Sequence, residues 1–181
     1  ILYKSAWAIA QAGNREVAAT LLTDFINKYP QDPRICEALT LRGDMYAKTK
    51  KEAEALMDFD RVIARWPKEE SAAAAWQRAA QIYAGRQDMV NMAKYYEGLI
   101  QNFPKASPAA LAEAHFLLGR AAFDQGDFKS SISHMAEAKT LDPQKYGEQV
   151  NVLSVLSYHK LQDVKKLKEA LETLQKENPS A

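Results

Sequence analysis

The chain has 181 residues, and 47% of them are hydrophobic, which is enough to bury a core and excludes a disordered protein. Its 24 lysines and arginines nearly balance its 23 aspartates and glutamates, so the net charge of +1 offers no electrostatic basis for binding nucleic acid or an anionic membrane. The single cysteine excludes an internal disulfide, and the longest apolar runs, such as residues 72–76, are far too short to cross a bilayer.

The few glycines and prolines, seven of each, predict helix nearly throughout the chain. Apolar residues at helical spacing predict ten helices, over residues 2–12, 15–28, 33–48, 51–65, 70–84, 88–102, 107–125, 128–140, 144–161 and 163–177. Short polar turns separate paired helices, and Gly126 is expected to end one of them as a left-handed cap. Asp32-Pro33 and Ser107-Pro108 are expected to cap the third and seventh helices, with proline at the first helical position.

The third and fourth predicted helices form the clearest two-helix unit. Leu39 and Gly43 fall on one side of the first helix, with a gap at Gly43 where another helix can approach closely. Phe59 lies on the apolar side of the second helix, and Pro67 ends that helix because proline has no N–H to donate. A hairpin of this size cannot bury both of its faces alone, so it needs copies of itself on either side.

Prolines at regular spacing identify those copies. They lie 37, 37, 39 and 36 residues apart and divide the chain into five repeats, over residues 1–30, 31–67, 68–104, 105–143 and 144–179. The residue eight positions before each proline is large and apolar in every repeat: Leu22, Phe59, Tyr96, Met135 and Leu171. The residue 24 positions before it is small in four of the five: Ala6, Gly43, Ala80, Gly119 and Val155. The sequence therefore predicts a repeat protein in which these recurring positions form the buried core.

The chain resembles a tetratricopeptide repeat array on these residues. The resemblance spans essentially the whole chain and implies an all-α fold, an α-α superhelix (solenoid) of five helix-turn-helix repeats forming one domain. The residues that carry it are Leu39, Gly43, Tyr46, Ala55, Phe59 and Pro67 in the second repeat, Trp76, Ala80, Tyr83, Tyr96 and Pro104 in the third, and Leu118, Gly119 and Pro143 in the fourth.

The period near 37 exceeds the 34 residues usual for this repeat, and an aromatic residue precedes three of the prolines. That long-period variant is similar to repeats of bacterial cell-envelope proteins of the outer-membrane assembly lipoprotein and Tol-Pal coordinator kind. The resemblance favours the periplasm, while the sequence itself gives no compartment. Because the first residue is Ile1 rather than Met, we expect the chain to be part of a longer one.

The sequence contains no motif typical of a catalytic site or a metal site, and we expect no cofactor. The three histidines are too far apart in sequence for a local metal pair, and His115 falls in a core column, where a packed imidazole is expected. Cys36 is expected to be a buried small hydrophobe. Asp58 and Asp60, two residues apart on a helix, point to different sides and are interpreted as part of a solvated face.

The resemblance places the binding surface on the concave groove that the first helices of the repeats form. Counting from the small-residue column, we predict that the partner-binding residues are Trp7, Asp44, Gln77, Gln81, Phe116, Arg120, Phe123, Val152, Leu156 and His159. The middle of this groove is polar, and its end is apolar around Arg120. Exposed aromatics beside an arginine are typical of an interface hot spot, and the alternative is that they pack against a further repeat or helix.

We therefore predict a non-catalytic scaffold that binds a protein or peptide partner in this groove, with no nucleic acid or membrane partner. The lysine and asparagine pattern that clamps a C-terminal carboxylate in some family members is absent, which disfavours chaperone-tail recognition. Two alternatives remain open. The array is a structural module that forms oligomers through its end repeats, or it is an accessory domain of a larger enzyme or envelope protein.

Overall fold

The computed structural model describes residues 1–177. Within these residues all regular secondary structure is helical, and the ten helices are α1 (Leu2–Gln11), α2 (Arg15–Lys28), α3 (Ile35–Lys48), α4 (Glu52–Arg65), α5 (Glu70–Gly85), α6 (Met89–Asn102), α7 (Pro108–Asp124), α8 (Phe128–Leu141), α9 (Pro143–Lys160) and α10 (Val164–Glu177). Every helix agrees with its predicted range to within two residues, so the all-α prediction is confirmed. The fifth proline of the predicted period, Pro179, lies outside the described residues.

The chain forms two compact units, and their boundary follows Gly98 within α6. Unit 1 contains α1 to α5 and most of α6, and unit 2 contains α7 to α10. In each unit a helix packs against the helices that precede and follow it, as α2 does with α1 and α3 in unit 1, and α8 with α7 and α9 in unit 2. This stacking of helical hairpins is the solenoid arrangement that the sequence predicts.

Small residues allow the helices of a hairpin to approach closely. A Cβ atom added at Gly43 would lie 2.6 Å from Phe59 Cε1, and Phe59 is fully buried, which confirms the predicted close crossing of α3 and α4. Gly98 makes the same kind of approach to the ring of Trp76, also at 2.6 Å, and sequence analysis did not identify it. In unit 2 the Cβ position of Gly119 lies 3.1 Å from Met135. The hairpins are therefore held by a glycine on one helix and a large side chain on the next.

The turn inside each hairpin has one recurring geometry. One residue of each turn has a positive φ angle, between 57° and 85°, and these residues are Gly13, Lys50, Gln87, Gly126 and Gln162. The next residue donates its N–H to a carbonyl five residues back, as Asn14 does to Ile9, which closes a Schellman motif. The predicted left-handed cap at Gly126 is confirmed, with a φ of 82°.

Side-chain caps start most of the second helices. Asn14, Asp88, Asp127 and Asp163 each accept a hydrogen bond from the backbone N–H three residues later, whereas Lys51 at the start of α4 makes no such bond.

One of the two predicted first-helix caps is confirmed. Ser107 accepts from the N–H of Ala110, with Pro108 at the first helical position of α7. The cap predicted at Asp32-Pro33 is wrong, since α3 begins two residues later, at Ile35. The Asp32 carboxylate instead accepts three hydrogen bonds from Arg34, one from its backbone N–H and two from its guanidinium, and so closes a local turn before the helix.

Candidate binding surface

A groove whose lining residues are mostly charged or polar lies between α3 and α5 in unit 1. Its lining includes Asp44 and Gln81, two of the predicted partner-binding residues, together with Ala47 and Arg78. Asp44 pairs with Arg78, with Oδ1 and Nε 3.2 Å apart, and Arg78 Nη1 also donates to Gln81 Oε1 at 3.2 Å. Burial raises the pKa of the Asp44 carboxyl even though Arg78 acts in the opposite direction. Asp44, Arg78 and Gln81 of this Asp44 groove therefore bind one another, while the exposed Lys48 also lines it.

The other two predicted residues of unit 1 lie outside the set that lines the Asp44 groove. Trp7 on α1 is 52% exposed, which is unusual for a side chain of this size. Gln77 on α5 is half-buried and already has an interaction partner. Unit 1 thus brings Asp44 and Gln81 together, and it does not gather all four residues at one site.

Unit 2 contains a second groove, between α7 and α9. Three of the predicted residues, Phe116, Arg120 and Val152, line it together; the other lining residues are Glu148, Gln149 and Leu153. We refer to these six residues as the Arg120 groove. Arg120 is exposed and forms no ion pair with any residue from 1 to 177. The groove therefore combines an unpaired positive charge with apolar walls.

The prediction that Phe116 is an exposed aromatic is wrong. Its side chain is only 8% exposed and belongs to a hydrophobic core that includes Met135 and Val150. The first turns of α9 explain the difference, because Tyr146 stacks on the Phe116 ring with 4.6 Å between the ring centroids. Phe116 thus lines the Arg120 groove only with a small exposed part of its side chain and is mainly a core residue.

The remaining three predicted residues of unit 2 do not line the groove. Phe123 is half-buried and packs edge-on against Phe128, with 5.4 Å between the centroids. Leu156 is 43% exposed and lies one helical turn beyond Val152, which is 37% exposed, so the two extend the apolar wall along α9. His159 is exposed in the last turn of the same helix.

Sequence reasoning missed a buried ion pair in unit 1. Asp58, expected on a solvated face, is buried and accepts two hydrogen bonds from the Arg42 guanidinium, from Nε at 2.8 Å and Nη2 at 2.6 Å. Arg42 also donates to Thr23 at 2.9 Å. Asp60 does point elsewhere, as predicted, and accepts from the Tyr95 hydroxyl at 2.5 Å. The carboxylate pair is therefore structural, with each member bound to a different partner.

The histidines of unit 2 show a second contact that sequence reasoning missed. His115 and His134 are 19 residues apart in sequence, yet their Nδ1 atoms lie 3.0 Å apart between α7 and α8. The predicted packing of His115 is thus confirmed in part, since the ring is half-buried but makes a polar contact. Cys36 is buried as predicted, and burial raises the pKa of its thiol.

The described part of the chain has no helix with the length and apolar character that crossing a membrane requires. No cluster of three or more histidine, cysteine or acidic side chains among residues 1–177 is arranged to hold a metal ion.

The repeats match sequence profiles of a known repeat family. A sequence profile of the tetratricopeptide repeat matches residues 1–32, 37–69 and 74–106, and a second profile of the same repeat matches residues 112–145. No curated protein sequence gives a significant match.

Solved structures share the fold along nearly the whole chain. MamA from strain AMB-1 is 17% identical with a TM-score of 0.71, and the alignment covers 99% of this chain and 91% of MamA. MamA from Desulfovibrio magneticus RS-1 is 20% identical with a TM-score of 0.67, covering 99% and 96%. A tetratricopeptide repeat protein from Parabacteroides merdae ATCC 43184 is 14% identical with a TM-score of 0.72, covering 99% and 66%. Identities this low show a common fold alone.

Proposed function

Because the chain belongs to the tetratricopeptide repeat family, whose repeats mediate protein–protein interactions, we propose that it binds a protein or peptide segment at the Arg120 groove of unit 2. The observation that carries the proposal is the unpaired guanidinium of Arg120 beside the exposed apolar wall formed by Val152 and Leu156. Arginine flanked by apolar surface is the composition found at the energetic centre of many interfaces.

The chemistry of the groove suggests the class of ligand. Arg120 can bind a carboxylate through two parallel hydrogen bonds, and the Gln149 amide can donate a further one. Val152 and Leu153 line the groove, and Leu156 extends this apolar wall along α9, which leaves room for one or two aliphatic or aromatic side chains. The favoured ligand is therefore a segment in which an acidic residue lies close to large apolar residues. Glu148 at the same groove disfavours a second acidic residue near it.

The Asp44 groove is a weaker candidate for the same role. Arg78 and Asp44 already bind each other, so a ligand that pairs with either of them must first break their 3.2 Å contact. We therefore assign the predicted residues Trp7, Asp44, Gln77 and Gln81 at most a supporting role, and place the main contact in unit 2.

A peptide-selection experiment tests the proposal. A random peptide display library is selected on the wild-type chain, and the dissociation constants of the enriched peptides are measured by fluorescence anisotropy. We expect acidic-apolar sequences, and we expect Arg120→Glu to weaken their binding at least about tenfold, as for a hot-spot arginine. Lys168→Glu is the matched control, because it makes the same charge reversal at an exposed position of α10, away from the groove.

Two results would contradict the proposal. Equal affinity of the wild type and Arg120→Glu would move the binding site elsewhere. Selected peptides without an acidic residue would show that the guanidinium does not guide recognition, even if the apolar wall still binds them.

A self-assembly role is the second candidate, and exposed apolar residues of α10 favour it. Val164 and Leu171 on that helix are 62% and 40% exposed. Light scattering over a concentration series separates this role from ligand binding: concentration-dependent oligomers that Leu171→Glu abolishes would support it, and a constant monomer mass would exclude it.

A cell-envelope location is also a proposal. Its support is the long repeat period and the aromatic residue before the proline in Tyr29-Pro30, Trp66-Pro67 and Phe103-Pro104. Fractionation of cells that produce the full parent protein tests it, and recovery from the cytosolic fraction alone would argue against it.

A further inference from the structure

Two imidazole rings face each other between α7 and α8. His115 Nδ1 and His134 Nδ1 are 3.0 Å apart, the ring centroids are 5.2 Å apart, and the ring planes are inclined at 44°. The close approach of the helices depends on Gly119, since a Cβ atom there would lie 3.3 Å from His134 Cβ. Both rings are half-buried, so the pair is partly accessible from solvent.

The preceding hairpin shows what these two positions need for packing alone. Counted from the proline that ends each predicted repeat, His115 and His134 correspond to Trp76 and Tyr95. Those two rings pack tilted against each other, with 5.3 Å between the centroids, close to the spacing of the histidine pair. Aromatic side chains that are not metal ligands are therefore sufficient to fill these two positions of the repeat. The histidines add two nitrogen ligands directed toward the same small volume.

The separation of the two nitrogen atoms fits a shared metal ion. With metal–nitrogen bonds of about 2.0–2.1 Å, two ligands at a right angle are about 2.9 Å apart, and two at the tetrahedral angle are about 3.3 Å apart. The observed 3.0 Å is close to the right-angle value, which tetragonal ions prefer. We propose that His115 and His134 form a two-imidazole binding site for a divalent transition metal, with Cu²⁺ favoured over Ni²⁺ and Zn²⁺.

The protons balance without any co-reactant. In the neutral pair one ring donates its Nδ1–H to the Nδ1 lone pair of the other. When the ion binds, the donating ring changes to the tautomer protonated at Nε2. The metal then lies to one side of the line between the two Nδ1 atoms, and both Nδ1 lone pairs point toward it. Water fills the remaining coordination positions. Glu137, one turn after His134 on α8, is close enough to act electrostatically on His115 and adds favourable negative charge.

Titration of the intact chain with Cu²⁺ alone, followed by electron paramagnetic resonance and by thermal melting, tests the site. We expect one equivalent of ion with hyperfine splitting from nitrogen, and a melting temperature that rises with the Cu²⁺ concentration. The double variant His115→Trp/His134→Tyr carries the ring pair of the preceding hairpin, and we expect it to bind Cu²⁺ at least tenfold more weakly. His159→Gln, which removes the exposed third histidine, is the matched control and should bind as the wild type does.

The wild type alone provides a readout that needs no variant. Substoichiometric Cu²⁺ should broaden the ring NMR resonances of His115 and His134 before those of His159. Undiminished binding by a folded double variant, broadening of His159 first, or no binding by the wild type would each overturn the proposal. Circular dichroism of the double variant establishes that it is folded.

Discussion

Units 1 and 2 each present a groove between the first helices of neighbouring hairpins, but they use their charged groups differently. In unit 1 the Asp44 groove contains an arginine and a carboxylate that bind each other. In unit 2 the guanidinium of Arg120 has no ion-pair partner within residues 1–177 and lies beside exposed Val152. The repeat therefore determines where a groove forms, and we infer that the pairing of its charges influences how readily it accepts a ligand.

The interiors of the two units also contain different polar groups. Unit 1 buries a fully hydrogen-bonded ion pair, Arg42 with Asp58. Unit 2 contains the His115–His134 contact, together with the buried Ser131 hydroxyl, which forms no hydrogen bond with any described residue. The interior of unit 1 thus contains a hydrogen-bonded ion pair, whereas the interior of unit 2 contains a buried hydroxyl whose removal should stabilise the protein.

The largest expected effect comes from the core of unit 1. Phe59→Ala should lower the free energy of unfolding by about 3–5 kcal/mol, because it removes a fully buried ring that fills the space beside Gly43. Chemical denaturation measures the loss, and hydrogen exchange should show it first in unit 1. Met57→Ala, at an exposed position of the same helix, is the control and should change little. Equal loss of protection in both units would mean that they unfold as one.

Removing a paired arginine should cost far more than removing the unpaired one. Arg42→Ala leaves the buried Asp58 carboxylate without its partner and should destabilise the protein by about 3–5 kcal/mol. Arg120→Ala should change stability by no more than about 0.5 kcal/mol, since Arg120 is exposed and unpaired. The double variant Arg42→Met/Asp58→Leu should recover most of the loss. Similar effects of the two single arginine variants would refute the contrast between the units.

Asp58 and Phe116 show how far the structure could be predicted from the sequence. Periodicity located every helix, and the small-residue column correctly predicted the close approach at Gly43, because both signals recur from repeat to repeat along the chain. The ion pair of Asp58 could not be predicted, since it depends on which side chain faces Asp58 from another helix, and the pairing with Arg42 does not recur in the other repeats. Phe116 was predicted to be exposed for the same reason: the Tyr146 ring that covers it belongs to the next repeat.

An unsatisfied hydroxyl in unit 2 offers a stabilising change. Ser131 is fully buried, and its Oγ forms no hydrogen bond with the described residues, while Ala18 and Ala55 fill the equivalent positions in the first two repeats. Ser131→Ala should therefore stabilise unit 2 by about 1 kcal/mol, by removing a buried polar group that has no partner. Thermal melting measures the gain. Ser133→Ala at an exposed position of α8 is the control, and a lower melting temperature for Ser131→Ala would show that the hydroxyl has a partner after all.

A missing cap in unit 1 offers a gain of similar or smaller size. Lys51 occupies the position where Asn14, Asp88, Asp127 and Asp163 cap the second helices of the other hairpins. Lys51→Asn should add a hydrogen bond at the start of α4 and stabilise the protein by about 0.5–1 kcal/mol, as measured by chemical denaturation. Lys68→Asn, an exposed change outside any helix, should have no effect. An equal gain from both variants would point to reduced positive charge as the cause.

Mild acid should destabilise unit 2 more than unit 1. Burial, followed by the neighbouring His134, holds the pKa of His115 below its ordinary 6.5, so the unfolded chain binds protons more readily than folded unit 2 does. The stability of unit 2 should then fall as the pH drops through and below 6.5. Unit 1 has no histidine and lacks this loss; the raised pKa of Asp44 favours its folded form in acid, whereas the lowered pKa values of Asp32 and Asp88 oppose that gain only at lower pH.

Hydrogen exchange, corrected for intrinsic rates, at about pH 7 and about pH 5.5 would compare the two units directly. Protection should fall in α7 and α8 and hold in α3 and α5. The double variant His115→Trp/His134→Tyr should make unit 2 less sensitive to pH over this range, because the remaining histidine, His159, is exposed. A loss of protection in unit 1 that matched that of unit 2 would show that the histidine pair is not the acid-sensitive element.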